Sequence, residues 1–282
     1  MKRLLSIELQ KITKNRSSKV LTIIYFLLLS LITLIASIEF DLGPIHINVA
    51  EQGIFNFPFI WHFNTYFADF LKIFLAVVIV SMMANEYSYG TLKQNLIDGM
   101  SKKEFIISKF LTVLLFAGVS TLFVFIVSLF LGLKHSSFTE ISIIFSDLEY
   151  LLAYFVKLTC FFSFCLFLGI LVKRSAFALG FLFFWFGVEK ISYGILKFEV
   201  FKFKNSDVTF IDRIYDFFPL EAMSNLIIEP FSRLNFVKTL GNQVGIESVK
   251  DYSVHFSTIA IVVMWIFIFI LTSYYILKKR DL

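Results

Sequence analysis

Two cysteines, four prolines and four histidines are all of those residues that the 282-residue chain carries, and each scarcity excludes something. Cys160 and Cys165 lie five apart inside one apolar run, a spacing that suits neither a zinc site nor a disulfide framework, so redox chemistry is excluded. Pro44, Pro58, Pro219 and Pro230 all fall outside the long apolar runs, which therefore read as plain helices without breaks or strong kinks. None of the twelve glycines is followed by lysine, so there is no P-loop, and nothing matches a dinucleotide fingerprint, an H-E-x-x-H site or a G-x-S-x-G elbow. Charge is scarce too: 17% of residues are charged, against about 25% in ordinary soluble domains.

What fills the chain is apolar. Hydrophobic residues make up 58% of it, aromatics 18%, and phenylalanine alone occupies 38 positions; the mean hydropathy is +0.80. Such a composition excludes a soluble globular protein and implies long runs facing lipid. Six segments approach the roughly 20 residues needed to cross a bilayer: Val20–Ile38, Phe67–Ala84, Phe105–Leu133, Leu151–Val172, Ala176–Leu196 and Phe256–Leu277. The expectation is an all-α polytopic membrane protein and a single domain over 1–282, with residues 1–19 as an interfacial helix, 20–196 as five spans, 197–255 as an external loop, 256–277 as the sixth span and 278–282 as a tail. The long basic start, the long first apolar run and the lack of an A-x-A site read against a cleaved signal peptide, so the first span is retained.

Orientation follows from the basic residues, because short connections rich in Lys and Arg stay on the cytoplasmic side. Six lie in the N-terminal stretch, four in the second connection (Lys93, Lys102, Lys103, Lys109), two in the fourth and three in the tail, whereas the first connection has none and the third one. Both termini therefore face the cytoplasm, and the excess of positive charge, +5 overall, reports orientation rather than a nucleic-acid partner.

Met1–Arg16 sets Leu5, Leu9 and Ile12 on one helical side, with Lys2, Arg3, Lys11 and Lys14 elsewhere. It reads as a basic amphipathic helix lying in the membrane surface against anionic lipid, or as an elbow that also touches a cytoplasmic partner. In the second connection Thr91–Asp98 reads as a short helix closed by Gly99, and Ser101-Lys102-Lys103-Glu104 as a capping box that opens the third span. A helix of eight residues is not stable alone in water, so it must pack on its own bundle or on another protein.

These residues also carry a resemblance. Glu86-x-x-x-Gly90-Thr91-x-Lys93, followed by Ser101-Lys102-Lys103-Glu104-Phe105 and Lys109, resembles the coupling-helix region of bacterial type-2 ABC transporter permeases. Gly99-Met100-Ser101 stands here where many relatives have a proline-containing turn. The layout is similar over essentially the whole chain: basic amphipathic start, six spans, a coupling segment between the second and third, a long external segment before the last. The general look is that of the group described as multicopper-enzyme maturation or antibiotic-export permeases. The resemblance implies an inner-membrane permease subunit of an ATP-driven exporter, not itself an enzyme, that pairs with a second permease half and with a cytoplasmic ABC ATPase. ATP and Mg would be bound by that ATPase, no cofactor by this chain. Glu86, Gly90, Thr91, Lys93, Ser101, Lys102, Lys103 and Glu104 would form the ATPase contact, and ATPase closure would push the short helix and tilt the spans on either side.

Other classes leave weaker traces. A secondary transporter would show Gly- or Pro-interrupted helices at matching places in two repeats, and neither feature is present. A membrane sensor or anchor that recruits a cytoplasmic protein without moving a substrate is the alternative. Asp212-x-x-x-Asp216 reads as a salt-bridge pair of the external loop rather than a metal site. Among charges in the spans, Asp69 and Lys72 can pair at i and i+3. Lys157, two turns into the fourth span, is a candidate translocation-path charge with Glu189 as its partner, both facing an interior or outward vestibule. His46, His62, His135 and His255 fall on the outer side without ligand spacing, so no metal is expected. In the fifth connection Pro219 opens a short helix, Leu220–Ile228, which Pro230 closes.

Overall fold

A computed structural model describes residues 2–35, 39–42, 45–48, 53–138, 140–201, 208–233 and 251–280. The chain opens with α1 (Lys2–Lys14) and α2 (Arg16–Ile35). Asn15 joins them: its side chain accepts the backbone N–H of Ser18 at 3.1 Å, the bond of an N-cap to the third residue of α2. A short antiparallel hairpin follows, β1 (Glu39–Leu42) with β2 (Ile45–Asn48), pairing Glu39 with Asn48 and Leu42 with Ile45. Then come α3 (Phe59–Phe70), α4 (Lys72–Ser88), α5 (Thr91–Ile97), α6 (Lys102–His135), α7 (Ile141–Ile144), α8 (Glu149–Val172) and α9 (Ser175–Phe201). Beyond α9 lie α10 (Val208–Tyr215), α11 (Pro219–Asn225), a 3-10 turn at Phe231–Arg233 and the last long helix, α12 (Phe256–Lys279).

Four stretches are long and apolar enough to cross a membrane: Lys102–His135, Ile141–Val172, Ser175–Phe198 and Phe256–Lys279. A fifth is the pair α3–α4, which meets the same test but bends by 46° at Leu71. The expected first span, Val20–Ile38, is helical as far as Ile35; residues 36–38 lie outside the described ones.

The bend at Leu71 corrects the reading of unbroken spans. No proline is involved. The backbone tightens instead: Leu71 N–H bonds to Ala68 O and Phe74 N–H to Leu71 O, each at 3.1 Å, 3-10 spacing in the middle of a helical run. Asp69 and Lys72 flank the break and bond each other at 2.7 Å. The part of α3 before the break is well covered, with Ile60, Trp61, His62, Asn64 and Thr65 all buried, whereas Phe70 and Ile73 beside Leu71 are exposed.

α8 is the centre of the bundle. Of its apolar window 78% is buried within the protein, against 11% for α9. It packs on α4, α6, α9 and α12. Gly169 lets α4 come close: a Cβ there would stand 2.8 Å from the Met83 Cβ, the small-residue approach common between helices in membranes. α9 is outermost, with Phe177, Phe183, Phe184 and Phe186 exposed, as befits a lipid-facing surface.

One end of the bundle gathers the basic residues. Lys102 at the start of α6 donates to the carbonyls of Lys278 (3.3 Å) and Arg280 (2.9 Å). Arg280 in turn donates to Ile170 O at 2.5 Å, Leu171 O at 2.9 Å and the Tyr87 hydroxyl at 3.1 Å. The opposite end is aromatic. Trp61 donates to Ile144 O at 2.9 Å, and His62 stacks on Tyr150 with ring centres 4.4 Å apart.

Candidate functional site

The site at the basic end is built around one carboxylate. Glu86 sits in the last turn of α4, 2% exposed, where a lone charge would be costly. Lys109 from the second turn of α6, fully buried, reaches it at 2.5 Å and reaches Glu8 of α1 at 2.6 Å. Lys11, one turn after Glu8, donates to the same Glu86 oxygen at 2.7 Å. The other Glu86 oxygen accepts the Thr91 hydroxyl at 2.6 Å. Two carboxylates and two ammonium groups thus cancel, and four helices, α1, α4, α5 and α6, meet at a single point.

Local geometry makes the joint tight. Gly90 adopts the left-handed conformation (φ +66°) at the start of α5, and a Cβ there would meet no atom within 4 Å, so the requirement is for backbone freedom, not space. At the far end Gly99 (φ +95°) closes a Schellman motif. Its N–H bonds to Leu96 O at 3.2 Å, and Met100 N–H bonds to Asn95 O at 3.0 Å. The capping box follows as expected: Ser101 Oγ accepts Glu104 N–H at 3.2 Å while Glu104 accepts Ser101 N–H at 2.9 Å. α5 therefore has two faces. Leu92 is buried against the core; Lys93, Gln94, Ile97 and Asp98 point away from it, with Tyr89 just ahead.

The residues singled out for partner contact are consequently divided. Glu86 is internal and positions α5 together with Thr91, and Gly90 shapes the entry. Lys93, Ser101, Lys103 and Glu104 are exposed, and Lys102 ties α6 to the C-terminal end. Glu8 was not legible as a participant, although it is the only acidic residue in α1 and lies one turn from buried Ile12. A lone acid on the buried side of a basic amphipathic helix was the available signal. The helix does more than lie on lipid, since Glu8 and Ile12 are buried against protein.

The second charge cluster surrounds the Leu71 bend. Lys157 pairs with Asp69 at 3.2 Å, not with Glu189 as anticipated. Glu189 instead accepts from Trp185 Nε1 at 2.7 Å and from the backbone N–H groups of Leu220 and Glu221 at 3.2 and 3.3 Å. It therefore caps α11 from a neighbouring helix, because Phe218 at the N-cap position has no side chain that could do so. Pro219 stands at N1 as expected, but α11 ends at Asn225 rather than at Ile228. Asp212 accepts the Tyr193 hydroxyl at 2.9 Å and Asp216 the Asn225 amide at 2.8 Å. Burial raises the Asp216 carboxyl above its ordinary range, with Glu221 adding to the effect and Asn225 opposing it.

Among the described residues no three His, Cys, Asp or Glu side chains gather as a metal site would require. His62 Nε2 faces Ile228 O at 2.7 Å and its Nδ1 faces Arg233 at 3.2 Å, a structural use of the ring. His255 lies 3.2 Å from Asp251; for His46 only the backbone is described.

Fold and site together define a helical membrane protein whose basic end carries a short helix locked to the bundle by a buried charge cluster. The chain belongs to the family described as "Protein of unknown function (DUF2705)", whose model matches residues 45–282. It is also similar to the "Uncharacterized protein YhcI" of Bacillus subtilis (strain 168), 35% identical over 77 residues. That match spans 26% of this chain and 25% of the relative.

Proposed function

We propose that this chain is the membrane-spanning permease subunit of an ATP-driven exporter, with nucleotide hydrolysis carried out by a separate cytoplasmic ATPase. One observation carries the reading: α5 is fixed to α1, α4 and α6 by the buried Glu86 cluster while Tyr89 and Ile97 beside and within it remain 74% and 75% exposed. Seven residues of helix do not hold together unaided, and the exposed side of this one, with Tyr89 and Ile97 among Lys93, Gln94 and Asp98, is the surface left for a partner. A push on α5 would pass into α4 and α6, to which Thr91, Glu86 and Lys109 tie it.

The topology in this reading has six spans: α2, the broken pair α3–α4, α6, α8, α9 and α12. It puts both termini on the cytoplasmic side, in agreement with Arg280 meeting Tyr87, close to the Glu86 cluster that holds α1. A second permease half and the ATPase complete the assembly.

The test is affinity purification of the tagged full-length chain from its native membrane in mild detergent. The expected result is a P-loop ATPase recovered in stoichiometric amount, and lost from the variant Lys93→Glu/Ile97→Asp, whose altered positions are exposed and carry no bundle contacts in the cluster. Recovery of other intact complexes but no ATPase would overturn the exporter reading and leave a membrane anchor or sensor.

A further inference from the structure

The charges around Leu71 do not balance. Lys72 and Lys157 both bond the same oxygen of Asp69, Oδ2, at 2.7 and 3.2 Å. Asp69 Oδ1 is buried and has no hydrogen-bond partner among the described residues. Among the described residues two ammonium groups with six N–H donors thus share one acceptor, and Lys157 is almost completely buried. Lys72 gains a little more from the Phe161 ring, 4.7 Å away. Surplus positive charge at membrane depth is expensive, and such residues normally have a partner or a function.

Beside the cluster is a half-open cavity of about 320 Å³, lined by residues of α3, α4, α8, α9 and α11. Asp69, Lys72 and Lys157 line it together with the buried Leu182 and Met223, and Phe183 and Phe186, each more than half exposed, stand on its side toward the bundle exterior. A charged recess with an apolar mouth toward the bundle exterior fits a molecule with an anionic head and a hydrocarbon chain.

We propose that this cavity binds one anionic phospholipid whose headgroup also carries a hydroxyl. The phosphate takes the spare N–H groups of Lys72 and Lys157, the hydroxyl donates to Asp69 Oδ1, and an acyl chain leaves between Phe183 and Phe186. One bound phosphate cancels the surplus charge, and the hydroxyl satisfies the orphaned oxygen, so the same molecule answers both anomalies. The site is independent of the ATPase contact, which lies at the other end of α4, and it stands whether or not the chain exports anything.

The probe is a short-chain phosphatidylglycerol titrated into the full chain purified in a neutral detergent, with phosphatidylcholine of equal chain length and inorganic phosphate as separate arms. Adduct formation is read by native mass spectrometry and stabilisation by thermal unfolding. The expected result is a single retained phosphatidylglycerol, at least tenfold tighter than phosphatidylcholine, with phosphate alone giving no stabilisation. Lys157→Met leaves the Asp69–Lys72 pair neutral and intact, and is expected to abolish the preference. Leu182→Trp fills the cavity without touching a charge and is expected to abolish the adduct. Equal binding to wild type and both variants would place the lipid elsewhere and overturn the proposal, as would equal affinity for phosphatidylcholine. Stabilisation by phosphate alone would make the ligand a free anion, also against it. A stable dimer that supplies a carboxylate to Lys157 in place of lipid would overturn it as well.

Discussion

Lys109→Met is the sharpest probe of the basic-end cluster. The side chain is fully buried and bonds Glu8 at 2.6 Å and Glu86 at 2.5 Å. Glu8, Lys11, Glu86 and Lys109 together are neutral; without Lys109, two buried carboxylates must share Lys11, which is a third exposed and approaches Glu8 only to 3.8 Å. Breaking a buried pair by removing one partner costs about 3–5 kcal/mol. Methionine is similar in length, so lost packing adds little. The expected loss is therefore about 3–5 kcal/mol in unfolding of the purified chain, titrated with denaturing detergent from mixed micelles. The double variant Lys109→Met/Glu8→Gln is neutral again and should recover about 1.5–2.5 kcal/mol, a coupling of the size adjacent charges show. A single variant within about 1 kcal/mol of wild type, or a double variant no better than the single, would refute the view that the cluster holds α1, α4 and α6 together.

Other consequences are simpler to read. Gly169→Leu forces α8 away from Met83, where even a Cβ would sit at 2.8 Å, and should cost at least about 1–3 kcal/mol in the same unfolding assay, as overpacking does. Glu189→Ala removes the cap of α11 and is expected to cost about 1 kcal/mol locally, seen as faster hydrogen exchange at Leu220 and Glu221 with the core amides unchanged; Glu189→Gln, which keeps an acceptor, should exchange nearly as wild type. Cys160 and Cys165 are fully buried in α8, so a maleimide should label neither in the folded chain and both after denaturation; rapid labelling of the native protein would contradict the central position of α8.

Much of this architecture was legible in one dimension. Apolar runs long enough for a bilayer, the Gly99 stop, the capping box and Pro219 at a helix start are all local or compositional signals, and local signals survive in a sequence. The Asp69–Lys72 pair was equally readable, because residues three apart on a helix are neighbours whatever surrounds them. The bend at Leu71 was not, because nothing local marks it: no proline or glycine is present, and the break lies where Lys157, far along the chain, meets Asp69 and Lys72.

The partnerships of the buried charges were decided by packing alone. Lys157 was matched with Glu189, and only the placement of α3 against α8 gives it to Asp69 and leaves Glu189 to cap α11. Glu8 and Lys109 lie 101 residues apart, and no spacing rule joins them. The sequence by itself determined that this is a helical membrane chain with a short punctuated helix between long apolar ones, because hydropathy, capping and turn chemistry act between near neighbours. Only the tertiary structure decided which charges neutralise one another and where a surplus remains, because in a medium of low dielectric constant an ion pair is set by distance in space.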